Sequence, residues 1–275
     1  MIARMHYVKS HGLGNDYIVI DPAKVPFRLT PDAVRLICDR HLGVGSDGIL
    51  EVVAPGGADF GVRIFNPDGS LAEKSGNGIR IFAKYLREHG YTSQDHFTVD
   101  TAGGRIFVQL ALREGRVSEV TADMGTVTFG GPELIDVNGR RLAVTSLSIG
   151  NPHCVVIVDD LATVDPRALG PLIETHRAFP ARTNVQFAQI LSRSHVAIEI
   201  WERGAGYTLS SGTSSCAVAA AAYRKGLVDR DVRVTMPGGD LDIRIGDGYA
   251  MRLRGPVEEV MSGDFSPDLL QRLRS

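Results

Sequence analysis

Two serines stand where their spacing could serve proton chemistry. Ser75 precedes Gly76-Asn77-Gly78, and Ser211 precedes Gly212-Thr213-Ser214. Each turn runs into an apolar stretch at helical spacing, "IRIFAKYL" in one case and "CAVAAAAY" in the other. The first turn of a helix leaves about four backbone N–H groups without partners, and their dipoles sum to about half a positive charge. Glycine lets an anion approach that backbone closely. Each turn is therefore a candidate cradle for a small carboxylate, while each serine is also a good ordinary N-cap. Two such cradles gripping one molecule would set a hydroxyl on either flank of a carbon. That arrangement suits a reaction in which one face of the carbon loses a proton and the other gains one, a base and an acid exchanging roles.

The elements that must position these turns are mostly strands. "HYVKSHG", "YIVID", "GVRIFN", "RIFVQLAL", "EVTADMG", "HCVVIVDD", "NVQFAQIL", "HVAIEIWERG", "RVTMPGG", "LDIRIG" and "YAMRLRG" are of strand length, alternate or run apolar, and close on Gly, Asn, Asp or Pro. Helices are fewer. "TPDAVRLICDRHLG" has Thr30 as N-cap, Pro31 at the first position and Gly43 as a stop. "NGIRIFAKYLREHG" and "GTSSCAVAAAAYRKG" close on Gly90 and Gly226. "PRALGPLIETHRAFP" is expected to break or restart at Gly170-Pro171, and "SPDLLQRLRS" ends the chain. So few helices argue against strict βαβ alternation and for α+β, with antiparallel or mixed sheets. The stretch from "VRIFNPDG" to "YLREHG" shares its plan with "IEIWERGAG" to "YRKG", the two Ser-Gly turns lying 136 residues apart, and "HGLGNDYIVID" echoes "SIGNPHCVVIVDD". Two similar halves are the economical reading. Residues 1–118 with 262–275 are expected to form the N-terminal half and 119–261 the C-terminal half.

The 275 residues, 43% hydrophobic and 23% charged, fit a globular protein with a sizeable core. A net charge of −2 gives no sign of a nucleic-acid or membrane-surface partner. No apolar run reaches the ~18 residues of a membrane helix, and the start lacks the apolar core of an export signal. Cys38, Cys154 and Cys216 are too few and too scattered for a disulfide framework or metal knuckle, so a cytoplasmic location is expected.

The motifs "KSHGLGNDYIVID", "DRHLGVGSDGIL", "FNPDGSLAEKSGNG", "DTAGG", "DMG", "SIGNPHCVVIVDD", "RTNVQFAQI", "IWERGAG" and "RGPVEEV" run through nearly the whole chain. In content and order they resemble the diaminopimelate epimerase family. The resemblance implies two pseudo-symmetric halves, each a curved sheet around a central helix, with the active site in the cleft between them. It also implies no cofactor, no metal, an amino-acid substrate, a homodimer with domain closure, and a place in lysine and cell-wall biosynthesis. Carried over residue by residue, it implies substrate contacts at Asn15, Asn66, Gly76, Asn77, Asn151, Asn184, Arg203, Gly212 and Thr213, with Glu202 and His153 joining Ser75 and Ser211 in the chemistry. Asparagine amides offer donors and acceptors to a zwitterion, and Arg203 can grip a carboxylate with two bonds. The plain alternative for Glu202-Arg203 is an exposed ion pair worth little, and a lone histidine at a strand start is commonly structural.

The departures fall on the chemistry. The resembling family carries a catalytic cysteine where Ser75 and Ser211 stand, a glutamate where Tyr207 stands, in some members a glutamine at Gly48, and often another cysteine at Ile81. A thiol near pH 8.5 ionises readily at a helix N-terminus. A serine hydroxyl is a weaker acid than tyrosine by several units, and a helix dipole does not close that gap. Cys216 is expected in the helix core, Cys154 at the start of a buried strand and Cys38 on the first helix, so none restores the thiol. Three readings stay open: an epimerase of diaminopimelate using both serines; a racemase or isomerase of the same superfamily acting on another amino acid or small acid, with Lys74 and Tyr207 as replacement bases; and a non-catalytic binder that keeps the pocket.

Overall fold

The computed structural model describes residues 6–274. The chain forms two compact units, one running to Ala122 and resuming at Pro256, the other spanning Asp123–Gly255. The division follows strand pairing. Arg116–Thr126 stays registered with Gly104–Arg113 as far as Ala122, and Glu258–Asp264 pairs with His6–Gly12. The divisions expected at 118/119 and 261/262 would have cut through both ladders.

In the first unit the sheet runs Glu258–Asp264, His6–Gly12, Asn15–Ile20, Ile49–Val53, Phe60–Phe65, His96–Thr101, Gly104–Arg113, Arg116–Thr126. Its successive pairings are antiparallel, antiparallel, parallel, antiparallel, parallel, antiparallel and antiparallel. In the second unit the order is Thr128–Phe129, Thr145–Ser148, Pro152–Val158, Asn184–Ser192, His195–Glu202, Asp231–Met236, Gly239–Ile245, Ala250–Pro256. Its pairings through Gly239–Ile245 and on to Ala250–Pro256 repeat the same sequence of senses. The fold is α+β with mixed sheets, and each unit carries the same plan.

The helices keep that plan. α1 (Pro31–Cys38) and α3 (Pro166–Glu174) each connect a parallel strand pair, while α2 (Gly76–Glu88) and α4 (Gly212–Arg224) follow a short return strand, and α5 (Pro267–Arg274) ends the chain. α4 starts and stops 136 residues after α2. Ile18 pairs with Ile49, and 136 residues on Cys154 pairs with Val185; Phe65 pairs with Leu71, and Trp201 with Tyr207. Position by position, then, Asn15 matches Asn151, Tyr17 matches His153, Gly48 matches Asn184, and Ser75 matches Ser211.

α2 and α4 are buried around their whole circumference from their first residue through Leu86 and Ala222. α2 touches His6–Gly12 near one edge of its sheet and Gly104–Arg113 near the other, so the sheet wraps it. The alanines of α4, Ala217 and Ala219 to Ala222, let the strands of the second unit approach closely. The opposite sheet face of the first unit packs Ile18, Ile20, Ile49 and Phe65 against α1 and α5, and that of the second packs Val185 and Phe187 against α3. Each such side chain contributes about 1.5–3 kcal/mol by leaving water.

Two local expectations are corrected. α1 ends at Cys38 rather than running on to Gly43, because the Asp39 carboxylate takes the N–H groups of His41 and Leu42 in a turn of its own. α3 passes through Gly170-Pro171 without a break. A β-carbon on Gly170 would lie 2.4 Å from Trp201 Cγ, so the glycine serves helix-on-strand packing, and Pro171 forgoes a single ladder bond.

Candidate active site

In the first unit the strand Leu71–Ala72 delivers the chain to Ser75 in extended conformation, and α2 begins at Gly76. Ser75 Oγ accepts from Gly78 N at 3.0 Å, an N-cap bond. Tyr17, buried on the strand Asn15–Ile20, donates its hydroxyl to the same oxygen at 3.2 Å. Asn77 donates to Asn15 Oδ1 at 3.0 Å and accepts from Arg80 Nη2 at 3.0 Å. Arg80 is fully buried, and it also donates to the Gly76 and Pro256 carbonyls, so its charge is dispersed over three oxygens. Gly12 makes this possible: a β-carbon there would sit 2.7 Å from Arg80 Nη2.

Asn15 is held from behind. It donates to Asp47 Oδ2 at 3.0 Å, and Arg40 bridges Asp47 and Asp16, with Lys9 2.9 Å from Asp16. Burial and the neighbouring Asp16 raise the Asp47 pKa, whereas hydrogen bonds from Arg40 and Lys9 outweigh burial at Asp16 and lower it. Asn66 sits at the end of Phe60–Phe65, where its amide donates to Ser70 Oγ at 2.9 Å in a tight turn. Ser75, Gly76, Asn77 and Asn15 thus form one bonded group, and Asn66 has its own.

In the second unit Ser211 caps α4 through Ser214 N at 3.4 Å, and its hydroxyl lies 3.5 Å from Thr213 Oγ1. Ser214 Oγ accepts from Gln186 at 3.0 Å. On the strand paired with that of Gln186, His153 Nε2 lies 2.9 Å from Asn151 Oδ1. His153 is 1% exposed, and burial drives its pKa down to about 3, with the charge of Arg203 pushing the same way. The ring is therefore neutral at ordinary pH. Its Nδ1 and the Gln186 Oε1 are both left without a hydrogen-bond partner. Turning the Gln186 amide over would point its NH₂ towards the ring and its oxygen towards the Ser214 hydroxyl, satisfying both.

Asn184 accepts from Arg203 N at 3.0 Å and donates to Pro152 O at 2.8 Å, joining the Asn151–His153 strand start to the Glu202–Arg203 corner. That corner is also fixed by Glu174 at the end of α3, which accepts from Trp201 Nε1 at 2.8 Å and from Gly204 N at 3.0 Å. Ser211, Gly212 and Thr213 lie together at the start of α4, and Asn151, His153, Asn184 and Arg203 form the neighbouring bonded group. Glu202 lies half-buried at the end of its strand.

The replacement bases and the cysteines fare differently. Tyr207 donates to Glu199 at 2.8 Å with Arg167 stacked 4.0 Å over its ring, on the sheet face that α3 covers rather than the α4 face. Burial and the Glu199 bond raise its pKa, so Tyr207 is corrected from candidate base to a surface anchor. Lys74 is half-buried just before the turn. All three cysteines are buried; burial pushes Cys38 up to about 11 and Cys154 up to about 12. Sequence reasoning missed Tyr17, Arg80, Gln186 and Glu174. Aligning the two "Gly-Asn" echoes would have flagged Tyr17 as the partner of His153. The other three show only as polar residues in apolar runs.

No group of His, Cys, Asp or Glu with metal-site geometry occurs among the described residues, and none of their helices is long and apolar enough to cross a membrane. Amide and hydroxyl groups predominate around each turn, with the Arg80 guanidinium in the first unit and the His153 imidazole in the second.

A family model for diaminopimelate epimerase matches residues 7–130 and 145–260. The gap between them holds the hairpin Leu134–Val137 and Arg140–Ala143. "Diaminopimelate epimerase 2" of Nostoc sp. is 43% identical, covering 96% of this chain and 97% of its own. The diaminopimelate epimerase of Pelotomaculum thermopropionicum is also 43% identical, covering 95% and 99%. Among solved structures, a probable proline racemase from Agrobacterium radiobacter shares the fold at TM-score 0.75 and 16% identity, covering 96% of this chain and 93% of its own. A hydroxyproline epimerase from Agrobacterium vitis does so at 0.74 and 16%, covering 97% and 94%. By sequence over nearly its whole length, the chain belongs to the diaminopimelate epimerase family.

Proposed function

We propose that this protein interconverts LL- and meso-diaminopimelate without a cofactor, removing a proton from one α-carbon and returning one to its opposite face, a step of lysine biosynthesis. Ser75 and Ser211 take the positions where the resembling family carries its catalytic cysteines, and act as the acid and base. The observation that carries the reading is the matched pair of helix N-termini, one in each unit, each capped by a hydroxyl. The amides of Asn15 and Asn184 each make one accepting and one donating bond, which leaves each with a further lone pair and N–H for a ligand. With Asn66, Asn151 and Arg203, and the turn residues Gly76, Asn77, Gly212 and Thr213, they make up the substrate contacts. Glu202 faces the substrate's ammonium side, and His153, neutral, holds Asn151 in place. The buried cysteines support a reducing compartment, the cytoplasm.

One feature favours a second substrate within the same chemistry. Ser75, Ser211 and Tyr207 all stand where the resemblance implies other residues, two cysteines and a glutamate. The test is incubation with each stereoisomer of diaminopimelate, and with a panel of other amino acids, in heavy water, following the α-proton by NMR. Exchange with inversion on diaminopimelate is the expected result. Exchange confined to another amino acid would move the substrate, and thermal stabilisation by a ligand without any exchange would make the protein a binder.

A further inference from the structure

We propose that Tyr17 is a proton-relay residue acting through Ser75, an inference that rests on the proton-transfer role just given to that serine. An alkyl hydroxyl can take a proton from carbon only if its own proton has somewhere to go. Among the described residues, two groups bond to Ser75 Oγ: Gly78 N–H, a pure donor, and the Tyr17 hydroxyl, which can donate or accept. A phenol ionises near pH 10, several units before an alcohol, so it is the better reservoir for the charge.

The surroundings are cleared for this contact. A β-carbon on Gly48 would lie 2.4 Å from Phe65 O and 2.7 Å from Tyr17 Cε1. The ring occupies the space a side chain at 48 would need. The matched position in the second unit carries His153 with Asn184 in place of glycine, and its ring bonds to Asn151 instead of the cap serine. The relay therefore belongs to the first unit alone.

Charged groups of α2 and of the sheet face it packs on are already committed among the described residues. Arg80 binds three oxygens, Lys84 binds Glu88 and Val117 O, and Glu259 on Glu258–Asp264 binds His89. The Lys9–Asp16–Arg40–Asp47 group lies on the opposite face, following the alternation that sends Ile18 and Ile20 to α1.

In the arrangement seen, Tyr17 donates to Ser75. On proton delivery, the Ser75 O–H bond breaks and its proton joins the α-carbanion, whose electron pair forms the new C–H bond. The Tyr17 O–H proton moves to Ser75 Oγ, and the phenolate left behind recovers a proton from water. Removal is the reverse: the carbon keeps the C–H electron pair, Ser75 gains that proton, and its own passes to the Tyr17 phenolate.

The experiment compares α-proton exchange in heavy water across pH for the wild type, Tyr17→Phe, and protein carrying a fluorinated tyrosine of lower pKa at position 17. Tyr17→Phe keeps the ring, so its thermal midpoint should stay close to that of the wild type. Its kcat should fall about a hundredfold with KM little changed. The fluorotyrosine protein should shift the alkaline limb of the profile to lower pH. Wild-type rates in Tyr17→Phe, a loss confined to KM, or a profile that fluorotyrosine leaves in place would each overturn the relay while leaving the epimerase reading intact. A wild type that exchanges no α-proton would overturn both.

Discussion

Acid should unfold the second unit earlier than its carboxylates alone require, because of His153. In an unfolded chain a histidine titrates near pH 6.5, whereas in this fold the pKa is about 3. Between those values the unfolded chain binds a proton that the folded one refuses. The stability this group supplies is therefore complete above pH 6.5 and is lost as pH falls towards 3. The slope is about 1.4 kcal/mol per pH unit, so going from about pH 7.5 to about pH 4.5 removes roughly 3 kcal/mol, a large part of a typical domain's 5–15 kcal/mol. His153→Phe keeps a flat ring in the pocket and abolishes the titration. Trp201 is the chain's single tryptophan and lies in the same unit, so urea unfolding followed by its fluorescence reports on the right part of the molecule. The wild type should lose roughly 3 kcal/mol more than the variant over that interval. Wild-type and variant stabilities that fall in parallel would show that His153 is protonated in the fold or reached by water, and would refute the reasoning.

Further predictions follow from the same contacts. With all three cysteines buried, and Cys38 and Cys154 shifted to about 11 and 12, iodoacetamide at mildly alkaline pH should leave native activity untouched and label the chain only on unfolding; rapid inactivation would bring a thiol back into the mechanism. Gly48→Ala should destabilise by roughly 1–3 kcal/mol in thermal melts, because the Phe65 carbonyl cannot move away from the new methyl group. Arg80→Met should cost roughly 1–3 kcal/mol, since it takes the guanidinium donor from the buried Asn77 Oδ1 and from the part-buried Pro256 carbonyl, and a melt unchanged from wild type would mean that water replaces the guanidinium.

Much of this was legible in the sequence. The spacing of two Ser-Gly turns forecast α2 and α4, and the paired echoes forecast a repeat that the sheet pairings follow strand for strand. Periodicity could not say that α1 would stop at Cys38, because the decision rests with the Asp39 side chain. Nor could it show that Gly170-Pro171 would be tolerated, since that depends on Trp201 packing from another strand. The direction of Tyr207 was hidden for a related reason: two residues along a strand return to the same face, but which face meets α3 and which meets α4 is set by tertiary packing. Tyr17 reads as one more aromatic in an apolar strand until Gly48, thirty-one positions later, is seen to make room for it.

The central claim is that hydroxyls at two helix N-termini carry the proton, and α-proton exchange from diaminopimelate in Ser75→Ala and Ser211→Ala tests it most directly. Each variant should lose at least about a hundredfold in exchange while giving up only ~1 kcal/mol of stability from the lost cap. Exchange at wild-type rates in both variants would contradict the account.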